Sequence, residues 1–111
     1  MKVSLIFILF VVFIAGCIQT GNVNLSEVER RAAEIQCKQE CQIAKSNGQD
    51  LSNGPCLANS LQNTTDWVCD VAHDPRLDVD NNIENQCSAY RSGIAKHFVE
   101  INENCEIIRT S

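Results

Sequence analysis

The chain opens on an almost unbroken apolar run from Val3 to Ala15, interrupted only by Ser4. Met1 and Lys2 precede the run, and the small residues Ala15 and Gly16 close it. A positive start, an apolar middle and a small-residue end are the layout of a secretory signal. The run is 13 residues long, short of the roughly 20 that a membrane-spanning helix needs. Cleavage is therefore the expected fate, with retention as a short anchor the alternative. The pattern divides the chain into a signal peptide over 1–16, a polar tether over 17–25 and a small cysteine-rich domain over 26–111.

Helical periodicity dominates the first part of the domain. Ser26 and Glu29 have the spacing of a capping box, good helix formers run to about Ser46, and Asn47 and Gly48 supply a left-handed stop. At about 100° per residue, Val28, Ala32, Ile35 and Ile43 share one stripe, and Ala33, Cys37, Cys41 and Ala44 share the opposite one. The aliphatic stripe is expected to pack on a sheet, with the cysteine stripe stitched to a loop or second segment. One broad buried face is the alternative.

Polar and Gly-rich sequence follows over 48–66. Pro55, Leu57 and Leu61 suggest a short helix within it. Then "DWVCDVA" alternates, with Trp67, Cys69 and Val71 on one side and Val68 and Asp70 on the other, which predicts a strand. "HDPRLDVDNN" reads as a loop. Ile83, Cys87 and Tyr90 recur at helical spacing, and Gly93 ends that turn. Residues 95–101 and 105–109 form a predicted hairpin around "NEN", pairing Ile101 with Cys105, Val99 with Ile107 and His97 with Arg109. The expected fold class is α+β: a long N-terminal helix packed on a small antiparallel sheet and stabilised by disulfides.

Composition narrows the picture. Without the leader, Trp67, Tyr90 and Phe98 are the only aromatics, and 8 basic face 14 acidic residues. So small a core needs covalent help, which oxidising exported surroundings supply. The acidic balance argues against nucleic acid as a partner, since no basic cluster is there to neutralise phosphates. It argues equally against electrostatic adhesion to anionic lipid, so a membrane tie would be covalent or apolar.

The residues Ile14-Ala15-Gly16-Cys17 resemble a lipobox, the cleavage site of prokaryotic lipoproteins, with Ile14 in the place usually held by Leu. The resemblance covers the first 17 residues. It implies cleavage before Cys17, a diacylglyceryl thioether on that sulfur and residence on the extracytoplasmic face of the cell membrane. Two acyl chains, at about 0.8 kcal/mol per buried CH₂, give the durable anchoring that a single chain does not. The C-terminal part from Trp67 onward resembles small uncharacterised exported archaeal proteins, which implies no activity.

With Cys17 assigned to lipid, the odd count of 7 cysteines leaves an even set. Cys37, Cys41, Cys56, Cys69, Cys87 and Cys105 are expected to form three disulfides. Six cysteines allow fifteen connectivities, and sequence does not choose among them. Cys37 and Cys41, one turn apart on a helix, are expected to take two outside partners. Their C-x3-C spacing is similar to that of cysteine-stabilised helix–sheet folds, but the C-x-C that such folds place on the facing strand is absent.

Candidate chemistry is sparse. No C-x-x-C, G-x-S-x-G, H-E-x-x-H or P-loop occurs, and no cofactor is expected. A metal–thiolate site would draw on His73, His97 and the cysteines. Asp78, Asp80, Asn82 and Glu84 stand at alternate positions like the start of an EF-hand loop, but Ile83 replaces the turn glycine and Ala89 the bidentate Glu. A solvated acidic loop is the plainer reading. Asn24 and Asn63 head glycosylation sequons. The expected function is a lipid-anchored, extracytoplasmic, disulfide-rich binding or structural component, held by membrane lipid through Cys17, with its protein or glycan partner unspecified. The alternative is a small exported enzyme or metal-binding domain using His73, His97 or the 78–84 loop.

Overall fold

The computed structural model describes residues 24–111. The signal peptide, the lipidation candidate Cys17 and most of the tether lie outside the described residues. Helix α1 spans Leu25–Ser46. Its N-cap is Asn24, not Ser26: the Asn24 side chain accepts from the Ser26 amide at 3.2 Å and from the Ser26 hydroxyl at 2.7 Å. The predicted stop holds. The Asn47 amide donates to the Ile43 carbonyl, and Gly48 adopts φ +74°. Arg30 pairs with Glu27 and Glu34, and Arg31 with Glu27, at the three- and four-residue spacings that bring helix side chains together.

Four strands follow: β1 (Cys56–Ala58), β2 (Trp67–Val71), β3 (His97–Ile101) and β4 (Ile107–Thr110), in the order β1-β2-β3-β4. The fold is α+β, but the sheet is mixed. The outer pairs are antiparallel, whereas β2 and β3 run parallel, Trp67 facing His97 through Val71 facing Ile101. Parallel neighbours need a crossover of a dozen or more residues. Residues 72–96 provide it, through two 3-10 turns (Asp78–Asn81 and Ile83–Asn85) and the short helix α2 (Ser88–Arg91). The short helix expected near Pro55 is β1 instead, laddered to β2 and bonded through Cys56 to Cys87.

The β3–β4 pair is a hairpin in another register: Val99 faces Thr110, Glu100 faces Arg109 and Ile101 faces Ile107. Cys105 belongs to the turn. It sits at φ +62°, its sulfur joined to Cys41, while the Asn102 side chain gathers the amides of Asn104 and Glu106. The wider turn shifts every partner.

The disulfides are Cys37–Cys69, Cys41–Cys105 and Cys56–Cys87. Cys37 and Cys41 do take two outside partners. The face of α1 that meets the sheet is nevertheless the opposite of the one expected. Ala33, Cys37, Cys41 and Ala44 are buried against Cys69, Val71, Val99 and Ile101, whereas Val28, Ile35 and Ile43 remain 49%, 59% and 54% exposed. Covalent geometry explains the reversal. Disulfides bring the backbones to Cα–Cα distances of 5.2 and 5.6 Å, which suits the small side chains beside them. Leaving three aliphatic side chains half exposed forgoes roughly 1 kcal/mol each. Each disulfide contributes about 3–4 kcal/mol by loop closure.

A second, smaller core lies on the other sheet face, where Val68, Cys87, Ala89 and Ala95 pack with Phe98. Gly54 connects the two halves at φ +66°; a Cβ there would stand 2.5 Å from Asp80 Oδ1 and 2.9 Å from the Val71 carbonyl. Gly48 has a similar φ but open space around it. Gly48→Ala is thus expected to lose about 1 kcal/mol, from conformation, and Gly54→Ala about 3 kcal/mol, from conformation plus displacement of Asp80. Urea unfolding of both variants with disulfides intact checks this. Equal losses would show that the close approach at Gly54 is unimportant.

Candidate functional site

Strand alternation builds the site. On β2, Trp67, Cys69 and Val71 face α1, so Val68 and Asp70 face away. On β3, Val99 and Ile101 face α1, so Phe98 and Glu100 face away. The crossover arches over these four residues and leaves a cavity of about 520 Å³, within the range of small-molecule pockets. Val68, Phe98, Tyr90 and Ala95 give it an apolar lining, and the Tyr90 ring meets Phe98 edge-on at 5.0 Å. Arg76, Arg91 and Lys96 also line it.

Asp70 and Glu100 are register partners on the parallel ladder, so two carboxyls sit side by side. The arginines go to Glu100. Arg76 donates to Oε1 at 3.1 Å, and Arg109 to Oε2 at 2.7 and 3.1 Å, so both oxygens of this buried carboxylate are held. Asp70 receives no such help; its Oδ1 is buried without a hydrogen-bond partner. Burial, reinforced by the Glu100 charge and opposed by Arg76, pushes the Asp70 carboxyl up to about 8. At neutral pH Asp70 is a protonated acid facing an apolar-lined cavity. Glu100, with both oxygens occupied, is poorly placed to accept a proton from a substrate. The arrangement suits recognition better than acid–base turnover. Among the described residues, the side chains of Arg91 and Lys96 make no ion pair.

The residues singled out from sequence fall elsewhere. His73 bridges two carboxylates, its Nδ1 at 2.9 Å from Asp80 and its Nε2 at 3.0 Å from Glu103. The hydrogen bond to Asp80 raises its pKa above the ordinary histidine value; burial opposes this and Glu103 assists. Asp80 is no solvated loop acid. It is 3% exposed and its Oδ2 accepts from the amides of His73 and Leu77, each at 3.0 Å. Burial pushes the Asp80 carboxyl up, but those amides and the His73 ring more than offset it and leave it below the usual range. The Asp80 carbonyl accepts from Arg76, so the acidic loop aims that guanidinium at Glu100. Asp78, Asn82 and Glu84 are exposed and do not converge with Asp80.

His97 lies apart from His73, stacked on Trp67 at 4.6 Å. All six cysteines of the domain are in disulfides, leaving no thiolate there for a metal. Among the described residues, no three His, Cys, Asp or Glu side chains are placed to hold an ion. Asn63 is exposed, whereas Asn24 uses its side chain as the helix cap.

Asp70, Glu100, Arg76, Arg91 and Lys96 were not singled out from sequence. The signal was present: in both "WVCDV" and "HFVEI" an acid stands between apolar residues within a strand, on the face away from its aliphatic neighbours. Compared with protein-family models, curated proteins and solved structures, the chain matches none. Among the described residues, no helix is long and apolar enough to cross a membrane.

The two raised groups give stability a defined pH profile. An unfolded Asp titrates near 3.9, so folded Asp70 holds its proton over a window in which the unfolded chain has lost it. Stability therefore falls as pH rises from about 4 to about 8. The His73 contribution is complete below about 6.5 and is lost as pH rises through its raised folded value. Asp70→Asn is expected to flatten the melting temperature between about pH 4 and 6.5, leaving the His73 decline above it. Calorimetry of both proteins across pH decides; an unchanged slope in the variant would remove Asp70 from the account.

Proposed function

We propose that this protein is an exported, lipid-anchored binding module on the extracytoplasmic face of the membrane, and that its ligand enters the Asp70 pocket. The lipobox-like Ile14–Cys17 supports the anchor, and the even set of disulfides fits the oxidising side of a membrane. The observation that carries the binding site is Asp70: a carboxyl whose pKa is raised by burial, its Oδ1 unpartnered and shut off from solvent, on a residue that lines a partly apolar cavity with the cations Arg91 and Lys96. A protonated acid can donate to a ligand oxygen, two cations attract negative charge, and Phe98 and Tyr90 suit a flat apolar body. The matching ligand is a small organic anion with an aromatic or aliphatic body.

Benzoate is the probe. Titrated against the protein and followed by NMR, it is expected to shift resonances of Val68, Ala95 and Phe98, while benzylamine does not. Arg91→Ala with Lys96→Ala should weaken benzoate binding by about tenfold without lowering the melting temperature. Binding should also weaken as pH rises through about 8, when Asp70 ionises. Equal response to benzoate and benzylamine would overturn the pocket assignment. Intact mass of the protein from its own membranes tests the anchor separately: a chain starting at Cys17 with added lipid supports it, and one retaining the leader refutes it.

A further inference from the structure

We propose that the outer face of α1 lies on the surface of an anionic lipid bilayer; this rests on the lipid anchor at Cys17 and not on the pocket. The face is exposed because the cysteine stripe took the sheet. At about 100° per residue, Val28, Ile35 and Ile43 form its apolar band, with exposed Leu25 at one end. Arg31, Lys38 and Lys45 are exposed on the flank of that band, each seven residues from the next, so they make one row along the helix; Arg31 shares the Glu27 carboxylate, and among the described residues Lys38 and Lys45 make no ion pair. The acids on that side are engaged: Glu27 pairs with Arg30 and Arg31, and Glu34 bonds Arg30 and Thr110. Glu29 and Glu40 lie across the band, on the opposite flank toward the sheet.

The chain is acidic as a whole, which predicts repulsion from anionic lipid, but its charge is unevenly distributed. The exposed acids Asp74, Asp78 and Glu84 lie in the crossover, and the flank of α1 beside its apolar band carries Lys38 and Lys45. An aliphatic band beside a cationic row is the composition of a helix lying in a membrane interface. The position of the anchor points to the same occupant. Cys17 precedes Leu25 by eight residues, a span of at most about 28 Å fully extended, so a lipid on Cys17 holds the start of α1 within reach of the headgroups. A second copy, whose cations would meet Glu29 and Glu40 on the opposite flank, is the competing occupant; the anchor eight residues before Leu25 favours the bilayer.

The test uses the mature lipidated protein with Ile35→Trp, on phosphatidylcholine vesicles with and without phosphatidylglycerol. Trp67 is buried on the sheet side, so the unsubstituted protein supplies its background and a check on folding. The expected result is a blue-shifted emission from the introduced indole, quenched by brominated lipid several-fold more on anionic than on neutral vesicles. Lys38→Glu with Lys45→Glu should abolish the difference. If the protein co-sediments with vesicles while the new indole keeps its aqueous emission, the anchor stands and the docking is overturned. Failure to co-sediment overturns both. A blue shift without vesicles, accompanied by a doubled mass in solution, overturns the docking in favour of a dimer.

Discussion

Two sulfurs one turn apart on α1 organise the molecule. Cys37 reaches β2 through Cys69, and Cys41 reaches the β3–β4 turn through Cys105. Together they set the rotation of α1 about its own axis and its height over the sheet. The small stripe must then face inward, and the aliphatic stripe must face water or a partner. Strand alternation carries the constraint one layer further. Once Cys69, Val71, Val99 and Ile101 are committed to α1, Asp70 and Glu100 have only the far side of the sheet.

On that far side the chain solves a charge problem unevenly. Two neighbouring carboxyls cannot both remain ionised in a buried site without cations to offset them. Both guanidiniums go to Glu100, one of them positioned by the Asp80 loop, and Asp70 keeps its proton. Buried polar atoms are usually satisfied. Asp70, which lines the cavity while its Oδ1 stays buried and unpartnered, is therefore the informative residue.

Local features were legible in the sequence because their causes are local. The stop at Asn47–Gly48, the alternation of β2 and the hairpin near residue 102 depend on near neighbours, and the three disulfides were legible by count though not by pairing. Features set at long range were not legible. The parallel β2–β3 pair depends on where a 25-residue crossover returns, and the β3–β4 register depends on a sulfur bonded to α1. The reversal of the helix faces is instructive: hydrophobicity ranks Ile35 above Ala33, but a covalent bond, which no hydrophobicity scale counts, outranks both. For the site, His73 and the acidic loop drew notice by residue type, yet they brace the structure. The pocket acids sit inside strands, where their face becomes evident only once the partner of each strand is known.

The third disulfide has a different reach from the other two. Cys37–Cys69 and Cys41–Cys105 fasten helix to sheet, whereas Cys56–Cys87 fastens the crossover to β1, beside the pocket and away from α1. Each layer thus has its own bolt. A reductant that opened only Cys56–Cys87 would slacken the roof of the cavity while leaving the helix seated. Cys56 is part-exposed, whereas Cys37, Cys69 and Cys41 are fully buried and Cys105 is 5% exposed, so the bond beside the cavity is the one most open to solvent.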